Sequence, residues 1–368
     1  MEWVDIASIV FLGFVGIRLI VVLSNFLFLH PPGKTGIDTS GSVDVCIPAR
    51  NESDNLPNIL NDLDRQTYSK FRIFVYDDNS EDDTGAVLEM SAKKNPNIIP
   101  LRGIDLPEGW SGKNHACHQL AKHSTAPFLL FLDADVRIQP NFIEKIVGHM
   151  NNENLKLLSF FPVQIMQTYG ERLVVPLINW ILLTLLPMPL IKNSRRSSFS
   201  AANGQCMVFN AENYRENYWH KQVKSNPVED IAILKKMKKK GYKVQTLLGN
   251  KDIACRMYHT FGESVKGVAR SAPAFFGNNW IWAITFISLV LLGPLFFIWT
   301  ASWTHLLVYI FGVLLIRLLV GIMSKQSLFD SIFMHLLQMT VLPIVVIKGF
   351  YTRFQGKYQW KNRQIDFK

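Results

Sequence analysis

Apolar positions in this chain are gathered into long blocks at its two ends and short runs in its middle. Between residues 4 and 29 only Asp5 and Arg18 are charged. A run of about 26 residues exceeds the roughly 20 that a helix needs to cross a bilayer. No basic segment precedes it and no small-x-small site comes before Pro31, Pro32 and Gly33, so residues 1–30 read as a retained transmembrane anchor, not a cleaved signal peptide. Three further apolar blocks, 280–300, 303–323 and 331–347, follow at the far end, with Trp280, Trp282, Trp299 and Trp303 near block ends, where aromatic belts lie. Residues 280–347 read as a C-terminal membrane region.

The middle, residues 40–270, has a different rhythm. Short β-branched and aromatic runs at 43–47, 71–76 and 128–132 alternate with helix-like stretches at 55–66, 82–93 and 113–123. This is the pattern of βαβ units in a parallel sheet and predicts a water-soluble α/β domain. One apolar segment inside it, 173–191, is long enough to span. However, Pro176, Pro187, Pro189 and a central Asn179 argue against an ordinary spanning helix. A crossing here would also put the acidic motifs on its two sides on opposite faces of the membrane. An interfacial or re-entrant segment is therefore expected.

Charge adds orientation. The 368 residues are 48% apolar and 18% charged, with 39 Lys and Arg against 29 Asp and Glu, a net charge of +10. Mean hydropathy is nevertheless positive, at +0.12, so apolar and basic residues are segregated. Basic residues cluster at Lys192, Arg195 and Arg196, along the run from Lys235 to Lys243, and in the tail at Lys348, Arg353, Lys357, Lys361, Arg363 and Lys368. The positive-inside rule then places 40–270 and a basic tail, 348–368, in the cytoplasm of a multi-pass protein of the cell membrane. An even number of crossings must lie between them, so 331–347, with His335, Gln338 and Pro343, is expected to be re-entrant or interfacial. The excess charge reads as topology and attraction to anionic lipid. Nucleic acid is not expected as a partner, because the basic residues cluster beside apolar segments instead of interleaving with aromatics. Four cysteines in 368 residues exclude a disulfide scaffold, and Cys46, Cys117, Cys206 and Cys255 read as reduced core residues.

Three acidic features stand at or soon after predicted strand ends, where ligands bind in open α/β sheets. Asp77 and Asp78 follow the second strand and can accept hydrogen bonds from a base or ribose, or serve as a turn and helix cap. Asp133 and Asp135 follow a very apolar strand; two hard oxygen donors one residue apart can share a divalent cation with diphosphate oxygens. Glu229 and Asp230 open an amphipathic stretch, where acids either cap the helix or take a proton from an acceptor hydroxyl. Lys113, after Gly112 at a helix start, can hold phosphates with help from the helix N-terminus, or be a solvated lysine. Asn203, Gly204 and Gln205 form a small-residue stretch that lets a sugar approach the backbone, or simply a β-turn. His115 and His118 lack partners at zinc-like spacing and read as polar packing.

Taken together, these features resemble the inverting family 2 glycosyltransferases of the GT-A fold, over residues 43–270. Pro48, Ala49, Arg50, Asn51 and Glu52 look like the opening nucleotide loop, Asp77 and Asp78 the nucleoside acids, Asp133-Ala134-Asp135 the metal motif and Glu229-Asp230 the base motif. The stretch from Gly109 to His118, Ala201-Ala202-Asn203-Gly204-Gln205, Arg256-Met257-Tyr258 and the tail Trp360-Lys361-Asn362-Arg363 are similar to a narrower membrane-bound branch. That branch contains the bacterial carotenoid (diaponeurosporenoate-type) and hopanoid-associated glycosyltransferases. The resemblance implies a GT-A, Rossmann-like nucleotide-sugar-binding domain between N- and C-terminal transmembrane helices, in a bacterial plasma membrane. It implies a donor site of Pro48, Ala49, Glu52, Asp77, Asp78, Lys113 and Asp133, and Mg²⁺ or Mn²⁺ on Asp133 and Asp135. It further implies a sugar and acceptor pocket at Asn203, Gly204 and Gln205, Asp230 as general base beside Glu229, and transfer from a nucleotide-sugar, UDP-linked as the commonest choice, to a membrane lipid. A processive polysaccharide synthase is disfavoured because the region that would carry a Gln-x-x-Arg-Trp-like motif reads Gly267-Val268-Ala269-Arg270. A catalytically silent scaffold is disfavoured because all three acidic motifs are intact.

Overall fold

The computed structural model of the protein describes residues 3–29, 38–360 and 363–366. The expected break at Pro31, Pro32 and Gly33, and Lys361, Asn362 and Lys368 of the tail, lie outside the described residues. The chain divides into two compact units, one made of Met1–Leu29, Gln164–Pro189 and Met257–Gln355, the other of His30–Val163, Leu190–Arg256 and Gly356–Lys368. The second unit is therefore not the continuous stretch 40–270 that composition indicates.

In chain order the elements are α1 (Trp3–Phe28), β1 (Val43–Ala49), α2 (Leu56–Asp64), β2 (Phe71–Asp77), α3 (Thr84–Lys94), β3 (Ile98–Arg102), α4 (Gly112–His123) and β4 (Phe128–Leu132). Next come β5 (Val136–Ile138), α5 (Phe142–Asn152), β6 (Leu157–Phe161), β7 (Val163–Gln164), α6 (Tyr169–Val174), α7 (Pro176–Leu185) and α8 (Pro189–Asn193). They are followed by β8 (Cys206–Asn210), α9 (Ala211–Asn217), α10 (Trp219–Gln222), α11 (Glu229–Lys239), β9 (Val244–Leu248) and β10 (Ile253–Cys255). The chain closes with α12 (Phe261–Phe275), α13 (Trp280–Trp299), α14 (Trp303–Met323), α15 (Leu328–Phe333), α16 (His335–Phe354), β11 (Lys357–Trp360) and β12 (Arg363–Asp366).

The first unit is helical. Among the described residues, α1, α13, α14 and α16 are each long and apolar enough to cross a membrane. Trp3 packs on Trp299 with ring centroids 5.7 Å apart, so the start of α1 and the end of α13 lie at one level. The 173–191 segment is not one helix. Asn25 of α1, fully buried, donates through Nδ2 to the carbonyls of Leu183 and Leu186 at 2.9 Å and accepts from the Met188 amide at 2.7 Å. It thereby satisfies the end of α7, a helix end that would otherwise strand carbonyls among apolar side chains. Residues 257–270 also join this unit: α12 lays its buried Val265, Val268, Ala269 and Ala272 against α16. At Gly349 any Cβ would come within 2.4 Å of the Ala269 carbonyl oxygen, a small-residue crossing of the kind that draws membrane helices together. Lys348 and Arg353 ride on α16, so the helix runs past residue 347.

The second unit is built on a seven-stranded sheet in the order β3-β2-β1-β4-β8-β6-β9. Strands β2, β1 and β4 are mutually parallel, as the alternating pattern predicts, and β3 continues them in the same direction. The sheet as a whole is mixed, because β8 runs antiparallel to both β4 and β6. Alternating hydrophobicity reports burial of a strand and not its direction. The expected strands and the helices α2, α3 and α4 are present, whereas β3, β6, β8 and β9 of this sheet were not foreseen. Part of the basic run is not on the surface either. Lys238 is 4% exposed and donates to the carbonyls of Leu190, Ile191 and Phe199, with burial lowering its pKa to about 8.

Asp44, the second residue of β1, ties this unit together. Its buried carboxylate accepts from Arg72 of β2 at 3.0 and 2.9 Å, from the Ser124 hydroxyl at 2.6 Å, and from the amides of Thr125 and Ala126 at 2.8 and 2.9 Å. One side chain thus joins two strands to the turn that launches β4. Asp44→Ala strands all of these donors, and should destabilise the unit by about 3 kcal/mol. The measurement is the unfolding midpoint of the detergent-solubilised protein, and a midpoint equal to wild type would contradict this role.

Candidate functional site

The site starts from the carboxyl ends of β1, β2 and β4. Register pairs Pro48 with Tyr76 and Ala49 with Asp77, and the Asp78 amide donates to the Ala49 carbonyl at 2.8 Å. Arg50, 4% exposed, fastens the two loops. It donates to the carbonyls of Asp78 and Asn79, each at 2.7 Å, and to Glu81 at 2.9 Å. Asp77 accepts from the Ser80 amide at 3.0 Å, so it does serve the turn, while Asp78 is fully buried. Glu52 accepts from Asn55 at 2.8 Å and lies close enough to Asp135 to raise that residue's pKa.

The antiparallel course of β8 completes the site. Leu132 pairs with Cys206, so the loop entering β8 lies against the loop leaving β4. The Asp133 amide donates to the Gln205 carbonyl at 3.0 Å. Lys113, in the first turn of α4, reaches into this place. Its ammonium donates to Asp133 Oδ2 at 2.7 Å and to the Gly204 carbonyl at 3.2 Å, and lies 3.4 Å from Glu229 Oε1. On the other side of the same glycine, the Gly204 amide donates to Asp230 Oδ2 at 2.8 Å. A Cβ at residue 204 would stand 2.7 Å from Glu229 Oε1 and 3.1 Å from Lys113 Nζ, so a side chain there would push both charged groups aside. Asp230 Oδ1 also accepts from the Ile231 amide at 2.7 Å.

Four carboxyl groups here face one ammonium. Burial, then Asp133 and Glu52, raise the Asp135 pKa to about 7. Burial, then Glu229, raise Asp230 to about 7, against the hydrogen bonds from Ile231 and Gly204 and the charge of Lys113. Burial alone would lower Lys113, but Asp133 and Glu229 hold it well above the usual lysine range. Asp135 Oδ1 is buried without a hydrogen-bond partner. Among the described residues no three His, Cys, Asp or Glu side chains are grouped to hold a metal ion. The protein thus offers two carboxylates one residue apart, Asp133 paired with Lys113 and Asp135 with an unpartnered oxygen. That donor set suits a hard dication completing its shell with substrate oxygens.

Several expectations change in detail. Asn203 shapes the turn: its side chain accepts from the Gln205 amide at 2.9 Å and donates to Gln205 Oε1 at 3.2 Å, and its amide donates to Ser159 at 2.8 Å. Gln205 donates to Cys255 Sγ at 2.7 Å, and Cys255 lies near enough to Asp135 to oppose the rise of its pKa. Cys255 is buried and free, yet it supports the acid it was not expected to touch. His115 and His118 pack against Trp110, with centroids at 5.5 and 5.2 Å. Burial, then Lys122 and Lys221, lower His118 to about 4.

Asn114 was missed. Fully buried, it donates through Nδ2 to the carbonyls of Val223, Lys224 and Asn226 at 2.9, 3.2 and 3.1 Å. It thereby holds the loop that leads into Glu229. The signal available was its position next to Lys113 at the start of a helix.

Comparison with known proteins accords with this geometry. Residues 44–217 match Glycosyl transferase family 2, a stretch that contains Glu52, Asp77, Asp78, Lys113, Asp133, Asp135 and Gly204 but stops short of Glu229 and Asp230. The chain is 28% identical over 225 residues to the 4,4'-diaponeurosporenoate glycosyltransferase of Staphylococcus haemolyticus (strain JCSC1435), covering 60% of this chain and 58% of that one. It is 25% identical over 227 residues to the protein of that name from Staphylococcus aureus (strain MRSA252), with the same coverage. The match thus spans under two thirds of these relatives' own lengths. Among solved structures, the mannosyltransferase PcManGT from Pyrobaculum calidifontis, in complex with GDP-Man and Mn²⁺, superposes with a TM-score of 0.57 at 15% identity. That likeness covers 95% of this chain and 99% of that one, and is one of fold. The chain therefore carries a Glycosyl transferase family 2 domain, on a mixed α/β sheet of the GT-A kind.

Proposed function

We propose that this protein is an inverting, metal-dependent glycosyltransferase that moves a sugar from a nucleotide-sugar to a lipid acceptor of carotenoid, hopanoid or glycerolipid type. The catalytic unit would lie on the cytoplasmic face of a membrane crossed by the long helices. One observation carries the reading: the Lys113 ammonium lies between Asp133 and Glu229 on the carbonyl of Gly204, whose amide holds Asp230. Four segments remote in sequence converge on one residue with the groups that sugar transfer needs.

Asp230 is the general base. The Gly204 amide fixes the carboxylate, and burial, then Glu229 beside it, raise its proton affinity towards the working pH, so that it takes the acceptor's hydroxyl proton as the new bond forms. Lys113 supplies a fixed positive charge to the donor's phosphates, and Asp77, Asp78 and Glu52 face the nucleoside part. The bare glycine at 204 leaves room for the Glu229 carboxylate and the Lys113 ammonium against the backbone. Asp133 and Asp135 would hold Mg²⁺ or Mn²⁺, which when bound neutralises the diphosphate leaving group. The names of the staphylococcal relatives, which specify a carotenoid acid, support a lipid acceptor, as do helices long and apolar enough to keep the chain in a bilayer.

Membranes carrying the protein, incubated with labelled UDP-sugars, should transfer label to an extractable lipid. If label stays in the aqueous phase with every donor, the reading falls. Asp230→Asn should lower transfer by about 10²- to 10⁴-fold while binding of nucleotide and Mn²⁺, read by calorimetry, is nearly unchanged. Wild-type kcat/KM should rise with pH through about 7 as Asp230 loses its proton, a rise that the Asn variant lacks. The sign for stability is opposite. Between 3.8 and about 7 the folded chain keeps a proton that the unfolded chain has released, so stability falls as pH rises through that window. The Asn variant should accordingly unfold no earlier than wild type at about pH 8.

Chelation should abolish transfer and restored Mn²⁺ should recover it, and Asp135→Ala should no longer respond to added metal. Transfer that survives exhaustive chelation would remove the metal from the reaction.

A further inference from the structure

Two arginines are buried in the helical unit with no acid to meet them. Arg18 of α1 is 3% exposed and Arg317 of α14 is 2% exposed. Both guanidinium carbons lie over the ring of Trp180 in α7, at 4.3 and 4.6 Å, so two like charges share one aromatic group. Arg18 donates to the Thr184 hydroxyl at 3.2 Å, and Arg317 donates through Nε to His335 Nδ1 at 2.7 Å. Arg18 Nε, Arg317 Nη2 and Trp180 Nε1 are buried donors without a hydrogen-bond partner. Among the described residues no carboxylate pairs with either guanidinium. Asp330 is paired with Arg172, and Glu171 accepts the amides of Gln167 and Thr168.

Uncompensated charge in an apolar interior is costly, and ionisable residues inside membrane helices ordinarily mark a ligand or a transport path. Guanidinium forks match the paired oxygens of phosphate and carboxylate, and three unused N–H groups remain to receive them. The rest of the lining is apolar: the Phe14 and Phe286 rings lie 5.2 Å from the Arg18 guanidinium. Beside the arginines the same helices expose Ile17, Ile20 and Leu314, a surface on which a hydrocarbon chain can rest. We propose that Arg18, Arg317 and Trp180 form a binding site for the oxyanion of a lipid, a phosphate or carboxylate head group whose chain lies along α1 and α14. The site is separate from the acidic cluster and does not rest on the transferase reading.

The test uses the full-length protein in neutral detergent, with native mass spectrometry for bound lipid and thermal unfolding for stability. The probes are phosphatidylglycerol, oleate, phosphatidylcholine and inorganic phosphate. One phosphatidylglycerol or oleate should remain bound at high salt, where attraction to exposed basic residues is screened, and should raise the unfolding temperature. Phosphatidylcholine and free phosphate should do neither. Preference for phosphatidylglycerol assigns the head group as phosphate, and preference for oleate as carboxylate. Arg18→Gln and Arg317→Gln should each lose the bound lipid, and the Lys variants should keep part of it. Equal stabilisation by phosphatidylcholine, displacement of the lipid by salt, or retention by both Gln variants would overturn the proposal. If the Gln variants do not fold, the comparison of lipids on the wild-type chain decides it.

Discussion

The ammonium of Lys113 among the carboxylates of Asp133 and Glu229 is the interaction on which the site depends. Without that charge, two acidic loops and the start of α11 would repel one another across a partly buried space. With it, residues 113, 133, 204 and 229 close on one another, and the Gly204 loop is gripped at both its carbonyl and its amide. One ammonium does not balance four carboxyls, however. Burial, and after it the remaining shortage of positive charge, raise the proton affinity of Asp135 and Asp230, and this gives the cluster its chemical character: demand for a cation on one side of Gly204, a carboxylate ready to accept a proton on the other.

That arrangement needs a rigid base, and the sheet supplies it. Asp44 joins β1 and β2 to the turn before β4, Arg50 locks the β1 loop to the β2 loop, and Asn114 anchors the loop before α11 from the same helix that presents Lys113. None of these three side chains belongs to an acidic motif. Each is buried, and each spends its hydrogen bonds on neighbouring loops. Their effect is to limit how far the acids can move.

The helical unit poses a related electrostatic problem and meets it differently. Asn25 satisfies the broken end of α7 entirely within the protein, so a helix can stop among apolar side chains. Arg18 and Arg317 are only half satisfied, by a hydroxyl, an imidazole and an aromatic face. The contrast between a completed polar network and an incomplete one, in the same bundle, marks the second as a place for something to bind.

What the chain determined locally was considerable. The long apolar blocks, the strands β1, β2 and β4 and the helices between them follow from periodicity and length, because burial of a contiguous run or of one helix face is written in neighbouring residues. The acidic pairs were visible for the same reason, as adjacent hard donors at strand ends. Tertiary structure alone decided the rest. The direction of β8 brings Gly204 to Asp133, the inward turn of Lys238 takes it out of the basic run, the hydrogen-bond partner of Cys255 is Gln205, 50 positions away, and residues 257–270 leave the sheet unit for the helices. Each of these depends on contacts between residues far apart in sequence, and hydrophobic pattern carries burial but neither strand direction nor partner.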